Sequence, residues 1–239
     1  MLAWTLLSLL IASVSAVPST ERSSGHPSRC DLSAATISLP SNQTVLVAPA
    51  QGPSYIGLAI GTQNYTCAST GTWTNVGAVA ELFDVSCLYG TPEFPSLQEI
   101  AYTMWKFAPP NAGISEVIAF MQTFKAFFVL GQRPYNVIIH LHPYVGTGIS
   151  PKWDFTSAAL AGHPDAFVIA AKVGDIPAPT GPPDVDWLSL NNVQGNLATQ
   201  VFRVDTVGGL PPASCTAGSP PIVIKYASTY CELQTSIST

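Results

Sequence analysis

From Thr36 onward, short apolar runs are broken by Pro, Gly and Asn, the rhythm of successive strands and turns. The pattern predicts strands at 44–47, 55–60 and 78–83, and again at 135–141, 166–173, 185–190, 197–207 and 222–230. In the last of these, Ile222, Ile224 and Tyr226 alternate with Val223, Lys225 and Ala227, which assigns Lys225 to the less apolar face. Residues 174–184 hold Pro177, Pro179, Pro182 and Pro183 and read as a surface loop, because proline removes a ladder donor.

One stretch changes period. Leu97, Ile100, Ala101, Met104, Trp105 and Ala108 recur at helical spacing behind a Ser96-x-x-Glu99 capping box, and Pro109-Pro110 closes the segment. Residues 116–130 are long enough for a second helix ending at Gly131, against the β preference of Phe127-Phe128-Val129. Runs of strands without alternating helices do not build a parallel sheet. The expected fold is mainly β, an antiparallel β-sandwich or barrel-like domain with a helical insertion around residues 96–130.

The amino-terminal residues add an export reading. An apolar stretch from Leu2 to Ala12 leads to Val14-Ser15-Ala16, a small-residue cleavage pattern, so residues 1–16 read as a signal peptide. The run is about half the roughly twenty residues a spanning helix needs, so no membrane partner is expected. Residues 17–29 read as a loose Ser/Pro-rich leader, and residues 30–239 as a single β-rich domain.

Charge and cysteine content narrow the class. Charged residues make up 10% of the chain and the formal net charge is −5, so no basic stripe exists to neutralise phosphates and nucleic acid is not an expected partner. Asn42-Gln43-Thr44 and Asn64-Tyr65-Thr66 are acceptor sequons that fit a secreted glycoprotein. The five cysteines lack a Cys-x-x-Cys pair, which favours disulfides over zinc. The sequence leaves about fifteen arrangements open. The pairing expected from proximity along the chain is Cys215 with Cys231, closing a loop worth about 3 kcal/mol, and Cys67 with Cys87, leaving Cys30 over.

No assembled catalytic motif is present: the chain has no dinucleotide glycine turn, no phosphate loop and no Gly-x-Ser-x-Gly elbow. His140 and His142 share a strand face and are weak metal candidates that His163 or Asp154 would have to complete; a polar sheet face or turn contact is the preferred reading, and no metal or other cofactor is expected. Glu81 with Asp84, or Asp184 with Asp186, could supply the carboxylate pair of a glycoside hydrolase, whereas Arg203 and Asp205 read as an ordinary surface pair. Trp73, Trp153 and Trp187 lie near loop boundaries, where they either stack on sugars or pack in the core.

Several segments taken in order resemble a known family. They are Gly61-Thr62-Gln63-Asn64-Tyr65-Thr66-Cys67, Ala80-Glu81-Leu82-Phe83-Asp84, the His140 region, Pro151-Lys152-Trp153-Asp154-Phe155 and Val185-Asp186-Trp187-Leu188. Val201-Phe202-Arg203-Val204-Asp205-Thr206-Val207-Gly208-Gly209, Pro211-Pro212, Cys215 and Tyr226-Ala227-x-x-Tyr230 continue the series. Together they resemble a secreted, mainly fungal domain-of-unknown-function family, number 3455, departing from it at Asp154-Phe155, where many relatives carry Asp-Gly. The resemblance implies an extracellular β-rich fold and supplies no catalytic residues. Members are sometimes labelled malate dehydrogenase, a label this chain does not support, since it lacks the nucleotide fingerprint and the alternating strand–helix pattern.

The resulting expectation is a secreted extracellular or cell-wall-associated protein that binds or builds structure, more a non-enzyme than an enzyme, with cell-wall polysaccharide as the candidate partner. The rival is a carbohydrate-active hydrolase working through Glu81, Asp84 or Asp154.

Overall fold

The computed structural model describes residues 30–109, 150–156, 160 and 162–233, together with the backbone of 137–143 and 149. Eight strands follow one another: β1 (Tyr55–Cys67), β2 (Trp73–Asp84), β3 (Val137–Pro143), β4 (Ile149–Asp154), β5 (Phe167–Ile176), β6 (Trp187–Gln194), β7 (Gln200–Gly208) and β8 (Ile222–Leu233). Each pairs antiparallel with the next, and β8 returns to pair with β1, so the sheet closes into a barrel. Of the two expected architectures, the barrel is the one formed.

Closure gives the sheet two apolar faces. Inside lie Ala59, Ala78, Ala80, Leu82, Trp153, Val168, Ala170, Leu190, Val201, Tyr226 and Tyr230, with Phe155, Leu160, Leu197 and Ala198 at one end. Eight strands enclose a lumen about wide enough for side chains to fill, and small residues on β1 and β2 face the large rings of β4 and β8. Outside, Ile56, Leu58, Ile60, Phe202, Val204, Ala227, Cys231 and Leu233 form a second core. Leu97, Ala101 and Trp105 of helix α1 (Leu97–Phe107) and Leu32, Ala35, Ile37 and Leu46 of the amino-terminal segment cover it. β1 is therefore buried on both faces, which explains its near-continuous apolar run.

α1 is strapped to this wall. Trp105 Nε1 donates to the Gly61 carbonyl at 2.7 Å, and Lys225 Nζ donates to the carbonyls of Trp105 and Ala108 at 3.0 and 2.6 Å. The same ammonium lies 4.3 Å above the Trp105 ring. Lys225 thus sits on a covered apolar face, contrary to the expectation from alternation, because its charge is spent on the carboxyl end of a helix. Gly208, at φ 70°, lies where a Cβ would run into the Tyr102 ring of α1.

Several expectations change. Residues 44–47 form no strand, since the Gln43 side chain satisfies both the Leu46 N–H and its carbonyl, taking the part a neighbouring strand would play. β4 was not expected, its Pro151 having masked it; β5 runs on to Ile176 before the Pro-rich loop begins. Ser96 is the N-cap residue of α1, but its Oγ donates back to the Glu93 carbonyl and caps nothing. The expected helix at 116–130 and the leader at 17–29 lie outside the described residues.

The expected disulfides are corrected outright: Cys30 pairs with Cys87 and Cys67 with Cys215, leaving Cys231 free and buried. Geometry explains this. Cys231 lies nine residues into β8, about 30 Å along the strand from the end where Cys215 sits. Cys67 closes β1 beside Trp73, while Cys87 follows the far end of β2, again the length of the barrel away. No helix among the described residues is long and apolar enough to cross a membrane.

Candidate functional site

The inner row of β8 is polar along most of its length. Register with β1 sets Tyr226 opposite Gly61, Ser228 opposite Ala59, Tyr230 opposite Gly57 and Glu232 opposite Tyr55. All four β8 residues are buried. The Tyr226 and Tyr230 hydroxyls approach to 3.4 Å, and the Trp153 ring reaches across from β4 to meet Tyr230 edge-on at 5.6 Å. Ser228 Oγ and both Glu232 carboxyl oxygens have no hydrogen-bond partner, nor does Trp153 Nε1, on the same inner face. Each such group costs about 1–3 kcal/mol when left unpaired, so a hydroxyl, a carboxyl and an indole N–H left so in one lumen form a specific chemical feature.

At one end of this row the chemistry is acidic and aromatic. Glu232 faces Tyr55 directly, and Asp84, on the far side of β1, is register partner to Gly57. The Tyr55 ring meets Phe155 edge-on at 5.4 Å. Asp84 is exposed at the rim and its Oδ1 accepts from the Ser86 N–H at 3.0 Å. Burial, with the Asp84 charge adding to it, pushes the Glu232 carboxyl up to about 8, so it is an uncharged acid at neutral pH. Burial, then the two carboxyls, raise the Tyr55 phenol in turn.

The opposite end carries mixed charge. Arg203, 8% exposed, donates twice to the Asp186 carbonyl, at 3.2 and 2.8 Å. The Asp186 carboxyl is raised by burial and then by Asp175, against the pull of Arg203 and Lys172. Lys172 and Asp175, both exposed, pair at 3.1 Å and act on the same carboxyl. Tyr65 donates to the Gly209 carbonyl at 2.8 Å, and Asn75 donates to Gln63 Oε1 at 3.0 Å.

The acids singled out from the sequence do not meet. Glu81 lies on the outer face of β2, between Ile60 and Ile138 in register, fully buried, both oxygens unpartnered and pushed up to about 8 by burial. Asp84, three residues on, faces the other way. Asp154 is held in a 2.6 Å ion pair with Lys152 and accepts from the Thr156 N–H and hydroxyl; burial works to raise it, but these hydrogen bonds bring it below its usual value. Asp184 accepts from the Gly208 N–H at 2.6 Å and from Thr180 Oγ1, a turn-fixing role, and Asp186 is engaged at the Arg203 end instead. Arg203 and Asp205 are no surface pair: Arg203 is interior, and Asp205 sits in a bulge at φ 49° with its carboxyl pushed up to about 6 by burial.

The other candidates are placed as follows. His140 stands opposite Val79 and Lys152 in backbone register and His142 opposite Ser150, while the side chains of both lie outside the described residues. His163 is exposed, and no group of three or more His, Cys, Asp or Glu gathers among the described residues. Trp153 and Trp187 are core residues and Trp73 is half-buried. Asn42 is exposed in a turn; Asn64 is half-buried on the outer face of β1, next to Gly77.

Glu232, Ser228 and Tyr55 were missed. The signal was the period-two series Tyr226, Ser228, Tyr230, Glu232, visible once residues 222–230 were read as a strand.

No curated protein and no solved structure matches the chain. A family described as "Protein of unknown function (DUF3455)" matches residues 48–233. That span takes in all eight strands, α1 and the polar row of β8, and starts after Cys30; on it, the chain belongs to the DUF3455 family.

Proposed function

We infer that the protein is a secreted, extracellular binding protein that takes a small polar ligand within its barrel, along the inner row of β8. The single observation that carries this reading is the set of buried, unpartnered polar groups inside the barrel: Ser228 Oγ, the Glu232 carboxyl and Trp153 Nε1. Alternating hydroxyl, phenol and carboxyl groups beside aromatic rings suit a ligand with both donors and acceptors, such as a sugar unit of cell-wall polysaccharide. Two disulfides and the absence of a membrane-crossing helix among the described residues are compatible with extracellular placement, and the leader pattern supports export.

Purified mature protein screened by thermal shift and native mass spectrometry against cell-wall oligosaccharides and pooled polar metabolites tests the reading. At least one compound is expected to raise the melting temperature and add its mass, and Ser228→Ala is expected to weaken that binding. A screen without any retained compound, joined by no retention on cell-wall material, removes the basis for a binding role.

One observation favours hydrolysis as a second reading. Asp84 at the rim and Glu232 in the interior are coupled carboxyls in contrasting environments, the arrangement that separates a base or nucleophile from an acid. Release of reducing ends from a polysaccharide panel, abolished in Asp84→Asn, would establish it; no release by the unsubstituted protein would end it.

A further inference from the structure

The described cations of the chain are all engaged or placed away from the interior acids. Lys152 pairs with Asp154, Lys172 with Asp175, Arg203 binds the Asp186 carbonyl, Lys225 caps α1 on the outer wall and Lys106 is exposed on that helix. Glu232 is 0% exposed and neither of its oxygens has a partner. It shares the inner face with Asp84, exposed at the rim, and with the Tyr55 ring, which is braced edge-on by Phe155. Two carboxyls and an aromatic ring, with no basic side chain beside them among the described residues, form a receptor lacking its positive charge.

We propose that the Tyr55–Asp84–Glu232 end of the barrel recognises a primary ammonium group carried by the small ligand. The inference rests on the barrel-interior reading and deepens it by naming the charged group. An ammonium offers three donors, enough to meet both Glu232 oxygens and one of Asp84, while its alkyl side lies against Tyr55. A divalent metal ion fits less well, since calcium takes six to eight oxygen ligands and no third acid, His or Cys joins the pair among the described residues. Seating the cation requires Glu232 to release its proton to solvent. Affinity therefore rises with pH until Glu232 ionises without help, near 8.

Isothermal titration calorimetry on the full mature chain with matched probes tests this: glucosamine against N-acetylglucosamine, and putrescine against the diol of the same length. The ammonium member of a pair is expected to bind at least tenfold more tightly at pH 6.5, and for putrescine, whose amines stay protonated throughout, the preference is expected to be larger at pH 8 than at pH 6. Glu232→Gln and Asp84→Asn are each expected to erase that preference. Asp84 is at the exposed rim, so its variant serves even if the interior one fails to fold. Equal binding of charged and neutral members overturns the ammonium assignment and leaves the barrel reading standing. Binding of calcium or magnesium alone, lost in Asp84→Asn, overturns it in favour of a metal. No binding of any probe overturns it too, while the broader ligand screen separately decides the barrel reading.

Discussion

Two carboxyls, Glu81 and Glu232, are enclosed without hydrogen-bond partners on opposite faces of the same sheet. Both are pushed from an ordinary 4.5 up to about 8, chiefly by burial, and Asp205 is pushed from 3.8 up to about 6. In the unfolded chain these groups ionise near their ordinary values, so between those values and the raised ones the folded state holds the extra protons. Their contribution is complete below the ordinary values and is lost as pH rises toward 8. Stability should therefore fall from about pH 5 to pH 8, by up to roughly 1.4 kcal/mol per pH unit for each such proton. Urea titrations at a series of pH values measure this, and Glu232→Gln should flatten the slope by about one proton; a stability curve level across that range would contradict the burial. Asp154 opposes the trend only near and below its ordinary 3.8, outside this window.

At the scale of elements, α1 depends on Lys225. Replacing it with Met keeps the stem over Trp105 but removes both hydrogen bonds to the helix end, and is expected to cost about 1–3 kcal/mol, read from the denaturation midpoint. Amide exchange of α1 should accelerate more than that of the barrel strands. Elements were the most legible level of the sequence. β8, with its alternation, fell where expected, the strand expected at 78–83 is the second half of β2, and α1 appeared from its period and its Pro stop. β4 did not, because Pro151 argues against a strand until its neighbours are known, and 44–47 misled because a glutamine side chain can imitate a ladder. The site was legible only in part. Tyr226, Ser228 and Tyr230 share a period, but that their side of the strand faces a lumen rather than solvent follows from closure, a long-range fact. Asp84 was singled out with the wrong partner, since Glu232 lies 148 positions further on and reaches it only across β1.

For the whole molecule, the disulfides join distant parts of the chain. Cys67–Cys215 spans 148 positions and ties the β1–β2 turn to the loop before β8, where Cys215 N–H also donates to the Gly71 carbonyl at 2.9 Å. Cys30–Cys87 spans 57 and fixes the amino-terminal cover to the end of β2. The chain-entropy model assigns these loops about 5 and 4 kcal/mol. Paired Cys67→Ser and Cys215→Ser substitution is expected to lower stability by about 2–5 kcal/mol by denaturation, with the far-ultraviolet spectrum retained. These pairings were unreadable from spacing alone, although the antiparallel course of β1 and β2 already sends Cys67 and Cys87 to opposite ends.

The β1–β8 pairing is also a seam. It runs from Tyr55 with Glu232 to Tyr65 with Ile222, so the first and last strands hold each other and neither presents a bare flank. A second polypeptide meeting β1 or β8 finds no free ladder along this seam to extend, and the two ends of the sheet are thereby shielded from templated β-aggregation.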